Sequence, residues 1–135
     1  MNELTILAAV ENIDRVTDFV NEQLAEACCP LKVQMQLDVA VDEVFSNIAN
    51  YAYQPGSGSA TIRVEREENP SSVVLTFFDS GKPYNPLLKE DPDVSLSAEE
   101  REAGGLGIFL VKKLMDELTY DYREGQNILR IRKFF

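Results

Sequence analysis

The sequence predicts an α+β fold, a two-layer α/β sandwich in which helices pack on one face of a mixed, mostly antiparallel sheet. Two observations predict it. The predicted helices are grouped, with two in succession near the N-terminus, whereas most predicted strands come in pairs separated by short turns, as in hairpins. The length of 135 residues suits a single domain with one core, which we expect to span residues 1–135.

The first third of the chain predicts one strand and two helices. Residues 4–9, LTILAA, form the first predicted strand. From Asn12, a predicted N-cap, apolar residues recur at helical spacing and define a first helix that Pro30 closes. A second helix is predicted from about 34 to 52, and it ends before the helix-breaking cluster QPGSGS.

The rest of the chain predicts four strands, a long loop and one helix. The segments SATIRVERE and SVVLTFFD form two strands joined by the turn signal ENPS. Residues 82–103 contain three prolines and show little periodicity, which predicts a loop of a length often found in functional lids. A helix follows this loop, and LTYDYRE and NILRIRK form a closing hairpin.

Composition excludes several classes of function. The chain has 13 basic and 23 acidic residues, a net charge of −10, which disfavours direct contact with nucleic acid or an anionic membrane. No apolar run approaches the roughly 20 residues needed to cross a bilayer, and we expect a cytoplasmic protein. The absence of histidine excludes catalytic triads, paired-histidine zinc motifs and phosphorylation on a histidine of its own.

A glycine-rich stretch directly precedes the third predicted helix. Gly104, Gly105 and Gly107 lie where the helix should begin, although glycine is a poor helix former. A helix N-terminus attracts anions, and glycines let the backbone approach a phosphate closely. The spacing fits neither the P-loop nor the dinucleotide fingerprint, in which Leu110 would have to be glycine. The alternative is a flexible entry into the helix with no ligand.

Two further patterns suggest polar groups of a binding site. Glu43, Asn47 and Asn50 fall within about 60° of one another on the second helix, opposite its apolar face. A carboxylate can accept a proton and an amide oxygen suits Mg²⁺, although such a stripe can also be a solvated face. Asp79 ends a strand and is followed by Gly81, a pattern that serves either a turn or recognition of an exocyclic amine.

Together, and in this order, the three segments resemble the anti-sigma-factor serine kinases of the RsbW type, within the GHKL superfamily of Bergerat-fold ATPases. EVFSNIANYAY resembles the N-box of that family, DSGKPYNP its first glycine box and GGLGIFLVKKLMDEL its second. The resemblance covers essentially the whole chain. The N-box often has histidine where this chain has Tyr51.

The resemblance implies that the protein uses ATP and Mg²⁺. It implies that Glu43 is the general base, that Asn47 is a Mg²⁺ ligand and that Asp79 binds the adenine amino group. Residues 82–103 would be the ATP lid. The other implied nucleotide-binding positions are Asn50, Gly81, Gly104, Gly105, Leu106 and Gly107.

The resemblance also implies a function. The protein would be an ATP-dependent serine/threonine kinase and anti-sigma regulatory factor that phosphorylates an anti-anti-sigma protein and sequesters a sigma factor, and it would form a homodimer. One alternative is a regulatory module that binds ATP and a partner without transferring phosphate. Another is an acidic α/β domain that binds no nucleotide.

Overall fold

The computed structural model of the protein describes residues 2–25, 29–88 and 105–135. The strands in this part of the chain are β1 (Glu3–Leu7), β2 (Ser59–Glu67), β3 (Ser72–Asp79), β4 (Glu117–Arg123) and β5 (Gln126–Phe134). They form one sheet in the order β1-β2-β3-β5-β4, and every neighbouring pair is antiparallel. The predicted α+β fold is therefore confirmed, although the described sheet is antiparallel throughout and not mixed.

Three α-helices accompany the sheet in the described residues: α1 (Ile13–Leu24), α2 (Leu31–Asn47) and α3 (Gly105–Leu114). They share one hydrophobic core with the sheet, to which strands contribute alternate residues and helices contribute apolar residues three or four apart. The largest fully buried side chains come from both layers and are those of Leu24, Leu37, Phe45, Ile62, Leu75, Phe77 and Ile131. The core therefore lies between the helices and one face of the sheet.

The second helix begins three residues before its predicted start. The backbone N–H groups of Val33 and Gln34 both donate to the carbonyl oxygen of Pro30, each at 3.0 Å, so the helical turn forms directly after the proline. Proline is tolerated ahead of the first turn, where its missing N–H is not needed. Pro30 therefore starts α2, whereas α1 already ends at Leu24.

The junction between β1 and α1 also differs from its prediction. The strand ends at Leu7, two residues earlier than expected. Asn12 directly precedes α1, but its side chain makes no capping hydrogen bond. Its amide instead donates to the carbonyl oxygen of Leu7 at 2.9 Å, so it connects the end of the strand to the start of the helix.

Several predictions lie partly outside the described residues. Only residues 82–88 of the predicted lid are described, and Gly104 falls in the same gap as residues 89–103. Cys29 is a free, buried cysteine, and Cys28 is not among the described residues. None of the helices described is long and apolar enough to cross a membrane.

Candidate functional site

A cleft of about 610 Å³ opens between the C-terminal half of α2, the start of α3 and the ends of β3 and β5 that lie next to α2. This volume falls in the range of sites for small molecules and cofactors, about 300–1,000 Å³. The aliphatic, proline and phenylalanine residues of its lining are Val44, Ile48, Ala52, Phe77, Pro83, Pro86, Ile108 and Leu129. A few polar side chains face the same space, which is the usual composition of a ligand site.

Asp79, at the end of β3, is a polar group of this cleft, and its side chain is only 6% exposed. One carboxylate oxygen, Oδ1, accepts hydrogen bonds from the backbone N–H of Gly81 at 2.9 Å and from the side-chain amide of Asn127 at 2.9 Å. The first of these is ordinary turn chemistry, so the turn interpretation is correct as far as Oδ1 is concerned. No described residue donates to the other oxygen, Oδ2, which remains an acceptor for a ligand.

The turn after Asp79 passes directly over the C-terminal end of α2, where the helix widens into a π-helical turn over Ile48–Ala52. The N–H of Lys82 donates to the carbonyl oxygen of Ala52 at 3.0 Å. A Cβ atom at Gly81 would overlap that same carbonyl group. Glycine is therefore needed at position 81 because two backbones approach each other closely there.

The side chain of Tyr53 also stabilises the turn after Asp79. Its hydroxyl accepts a hydrogen bond from the N–H of Ser80 at 2.7 Å and donates one to the carbonyl oxygen of Ser59 at 2.6 Å. The hydroxyl thus connects the segment after α2 to the start of β2 and to the end of β3. Backbone and side-chain hydrogen bonds together therefore hold the turn after Asp79 in place.

Asn127 is a cleft residue that the sequence reasoning missed. Its side chain is 6% exposed, and it lies on β5 directly opposite Asp79 of β3. One signal was available in the sequence: Asn127, Leu129 and Ile131 alternate along the strand, so an amide occupies a position that the pattern assigns to the core. A polar residue on a core face has to find hydrogen-bond partners, which marks it for attention.

The three residues of the polar stripe on α2 lie in different environments in the structure. Asn47 is half-buried and lines the cleft, and Glu43 is half-buried without being part of that lining. Asn50 is exposed and also lies outside the lining. The stripe is not a wholly solvated face, because α3 contacts α2 and its Gly107 lies against Glu43.

Glu43 lies against the first turns of α3. A Cβ atom at Gly107 would overlap the Glu43 carboxylate oxygen Oε2, so the glycine leaves the space that this carboxylate occupies. Burial raises the pKa of Glu43 above its usual range, and the negative charge of Asp42 raises it further. A carboxylate with a raised pKa is better matched to accepting a proton near neutral pH.

Gly105 and Gly107 lie inside α3 and not ahead of it, whereas Gly104 is outside the described residues. The helix begins at Gly105, so Gly105, Leu106 and Gly107 occupy its first turn. The helix contacts α2, and Ile108 of the next turn lines the cleft. The segments carrying Glu43, Asp79 and Gly107 therefore meet around one cavity.

The residues present fit an adenine nucleotide. The apolar walls suit a planar base, and Oδ2 of Asp79 is an acceptor with no donor in the described structure. Asn47 offers an amide oxygen, a ligand type suited to Mg²⁺. Within the described ranges no cluster of three or more acidic, cysteine or histidine side chains is placed to hold a metal ion.

Comparison with known proteins places the chain among kinase-like ATPases. Residues 6–133 match the family described as the histidine kinase-like ATPase domain. The chain is 31% identical over 103 residues to the serine/threonine-protein kinase BtrW of Bordetella bronchiseptica, an alignment that covers 74% of this chain and 70% of that protein. It is 29% identical over 97 residues to the serine-protein kinase RsbW of Listeria monocytogenes, covering 69% of this chain and 61% of RsbW.

Other comparisons agree. The serine-protein kinase RsbW of Bacillus thuringiensis is 29% identical over 95 residues, which are 69% of this chain and 59% of that protein, so the alignments with RsbW span about three fifths of its length. Among solved structures, the histidine kinase domain of the blue-light activated histidine kinase from Erythrobacter litoralis EL346 superposes with a TM-score of 0.55. That match covers 92% of this chain and 59% of the other at 14% identity, and it shows the fold alone.

These findings confirm the resemblance that the three sequence segments suggested. The relatives named as serine and serine/threonine kinases support the assignment of the protein as a protein kinase, and the matched domain implies that it uses ATP. The antiparallel sheet with helices on one face is the fold of the solved neighbour. The chain belongs to the histidine kinase-like ATPase domain family.

Proposed function

We propose that the protein is an ATP-dependent serine/threonine kinase that acts as an anti-sigma regulatory factor. The observation that carries the proposal is the shared cleft, in which Asp79 of β3 and Asn47 of α2 face the same space while Glu43 lies beside α3. Three separate segments thus supply the polar groups that a nucleotide and its transfer chemistry require. The kinase names of the relatives support the same activity.

In this proposal the base end of the cleft binds adenine. Oδ2 of Asp79 accepts a hydrogen bond from the exocyclic amine, and the apolar walls, including Ile48 and Phe77, cover the faces of the base. Gly81 lets the chain turn sharply beside the base, because no side chain fits between it and the end of α2. These contacts would provide affinity for the nucleotide without taking part in transfer.

The other end of the cleft would carry out the transfer. When bound, ATP supplies the phosphoryl group and Mg²⁺ neutralises charge on the phosphates. Asn47 would ligate the metal, and backbone N–H groups in the first turn of α3, which have no acceptor within the helix, would donate to phosphate oxygens. Glu43 would accept the proton of the acceptor hydroxyl as its oxygen bonds to the γ-phosphorus and the bond from phosphorus to the β,γ-bridging oxygen breaks.

The proposed partners are an anti-anti-sigma protein, as phosphate acceptor, and a sigma factor that the protein sequesters in the cytoplasm. The names of the kinase relatives support a serine or threonine acceptor. Because the chain contains no histidine, it cannot phosphorylate a histidine of its own, and the phosphate would pass to another chain or to water. A homodimer and the absence of direct contact with nucleic acid belong to the same proposal.

The test is transfer of labelled phosphate. The protein is incubated with γ-labelled ATP, Mg²⁺ and a candidate anti-anti-sigma protein, and the acceptor is analysed by mass spectrometry. We expect one labelled serine or threonine, and no label on an acceptor in which that residue is alanine. Binding of ATP without any transfer would favour a nucleotide-gated binding module. Absence of thermal stabilisation by Mg·ATP would exclude both activities.

A further inference from the structure

We propose that Asn127 is the positioning residue that makes the cleft selective for a 6-amino purine. It would act through Asp79 by occupying one carboxylate oxygen and leaving the other for the ligand. The inference rests on the proposed nucleotide-binding function and adds to it a residue on β5, outside all three sequence segments that predicted the site.

The side-chain amide of Asn127 uses its full hydrogen-bonding capacity. Its Nδ2 group donates to Oδ1 of Asp79 at 2.9 Å and to the carbonyl oxygen of Lys82 at 2.8 Å. Its Oδ1 atom accepts from the N–H of Tyr84 at 3.1 Å and from the hydroxyl of Tyr120. An asparagine amide has two donor hydrogens and two acceptor lone pairs, so no capacity is left over.

This saturation determines how the amide is oriented. Exchanging its oxygen and nitrogen would place an amide donor against the N–H donor of Tyr84, and the amide oxygen against the acceptors of Asp79 and Lys82. Such a reversal would leave several groups unsatisfied in a site where Asn127 is 6% exposed, and each unsatisfied buried group costs about 1–3 kcal/mol. The amide therefore presents a donor, and never an acceptor, to Asp79.

The sheet places the two side chains opposite each other. Asp79 and Asn127 are direct register partners in the antiparallel pair β3–β5 and share its inner face. Directly opposed side chains in such a pair lie within contact distance, and this distance does not depend on the conformation of the loops. The amide therefore reaches the carboxylate through regular sheet geometry, and at the same time it fixes the backbone of residues 82–84, which forms one wall of the cleft.

The consequence for the ligand follows from the two oxygens of Asp79. Oδ1 accepts from Gly81 and Asn127, so Oδ2 is the oxygen that remains for the base. An acceptor at this position attracts the amino group of adenine and repels the carbonyl oxygen of a 6-oxo purine. Without Asn127, the carboxylate would lose one of the two bonds that fix its rotation and would discriminate less well.

The experiment measures a ratio of affinities. Calorimetry would give the Kd of ATP and of purine riboside triphosphate, which lacks only the 6-amino group, for the native protein and for Asn127→Leu. The native protein should prefer ATP, and Asn127→Leu should reduce that preference by about tenfold, the effect of losing one good hydrogen bond. A general loss of stability would weaken both nucleotides equally and leave the ratio unchanged.

Tyr122→Phe is the matched control. It removes one hydroxyl from an exposed residue of β4 that is the register partner of Asn127 but lies outside the cleft lining, so the preference for ATP should stay within about twofold of the native value. If Asn127→Leu does not fold, Asn127→Ser provides the same readout, because serine is too short to span Asp79 and Lys82 together.

The outcomes separate the two proposals. A native protein that prefers ATP, together with an Asn127 variant that keeps the full preference, would overturn the positioning role and leave the kinase proposal intact. A native protein that binds neither nucleotide would overturn both. A native protein that binds both nucleotides equally would overturn the role of Asp79 in base recognition, and the role of Asn127 with it.

Discussion

The two ends of the cleft are constructed differently. At the base end, Asp79 and Asn127 lie on adjacent strands and are joined to each other and to the following turn by hydrogen bonds of 2.8–3.1 Å. At the transfer end, Glu43 belongs to a helix and lies against Gly107 of another helix through side-chain packing. If the proposed function is correct, nucleotide affinity and phosphate transfer depend on separate contacts, which separate substitutions can remove.

The largest effect is expected at the transfer end. Glu43→Gln should lower phosphate transfer by about 10²–10⁴-fold, the usual contribution of a positioned proton acceptor, because the amide cannot take up the hydroxyl proton. The Kd of ATP should be unchanged, since Glu43 does not line the cleft. Single-turnover transfer and calorimetry measure the two quantities. The control is Glu65→Gln, the same chemical change at an exposed position of β2; equal transfer by both variants would refute the role of Glu43.

The base end should respond in the opposite way. Asp79→Asn preserves an oxygen for Gly81 and Asn127 but presents an amide NH₂ to the amine of the base. Removing a hydrogen bond to a charged group costs about 1.5–3 kcal/mol, so the Kd of ATP should rise about 10- to 150-fold. Transfer at saturating ATP should change much less. Asp18→Asn, on the exposed side of α1, should change neither quantity; a weakened transfer rate with unchanged Kd would contradict this separation.

Two glycine substitutions compare the ends directly. In Gly81→Ala the new methyl group meets the backbone carbonyl of Ala52, which cannot move without shifting α2, so we expect a stability loss of about 1–3 kcal/mol. In Gly107→Ala the methyl group meets only the carboxylate end of Glu43, which can rotate away. Alanine also favours a helix over glycine by about 1 kcal/mol.

Denaturant unfolding measures the stability of the two variants, transfer assays measure their activity, and we expect the two variants to differ in both. Gly81→Ala should lose stability, whereas Gly107→Ala should keep its stability and lose transfer because Glu43 is displaced. Equal stability losses in the two variants would show that the transfer end is as rigid as the base end, contrary to the comparison.

The smallest effect concerns pH. The pKa of Glu43 is raised in the folded protein, so in the interval above the ordinary glutamate value of about 4.3 the folded state binds more protons than the unfolded state. The contribution of Glu43 to the free energy of unfolding therefore falls as pH rises through this interval. Burial also raises the pKa of Asp38. Comparing the native protein with Glu43→Gln isolates the contribution of Glu43, because Asp38 is present in both proteins. A difference that does not vary with pH would contradict the burial of this carboxylate.

The sequence predicted the secondary structure well because each element carries a regular pattern. Alternation along SATIRVERE and NILRIRK, and the short apolar run in SVVLTFFD, located three strands to within about a residue or two, since the first two bury one face and the third buries both. Helix ends were predicted less accurately. The sequence predicts Pro30 as the end of one helix, whereas in the structure it precedes the first residue of α2, because a proline marks a boundary without indicating on which side the helix lies.

The site could be predicted only where its residues form local patterns. Asp79 and Gly81 belong to one turn, and Glu43 and Asn47 to one helix face, so local spacing indicated them as candidates, and the family resemblance gave them their predicted roles. Asn127 lies 48 residues from Asp79 along the chain, and their contact depends on strand register, which no local pattern encodes. The need for glycine at position 107 could not be predicted from the sequence either, because it depends on the packing of α3 against α2.

The central claim is that one adenine nucleotide binds across both ends of this cleft. A crystal structure of the protein with Mg²⁺ and a non-hydrolysable ATP analogue tests it most directly. We predict that the adenine amino group lies within hydrogen-bonding distance of Oδ2 of Asp79, that Asn47 ligates the metal, and that the γ-phosphate lies near Glu43. A nucleotide bound elsewhere, or adenine in the cleft with Asp79 turned away from it, would contradict the account.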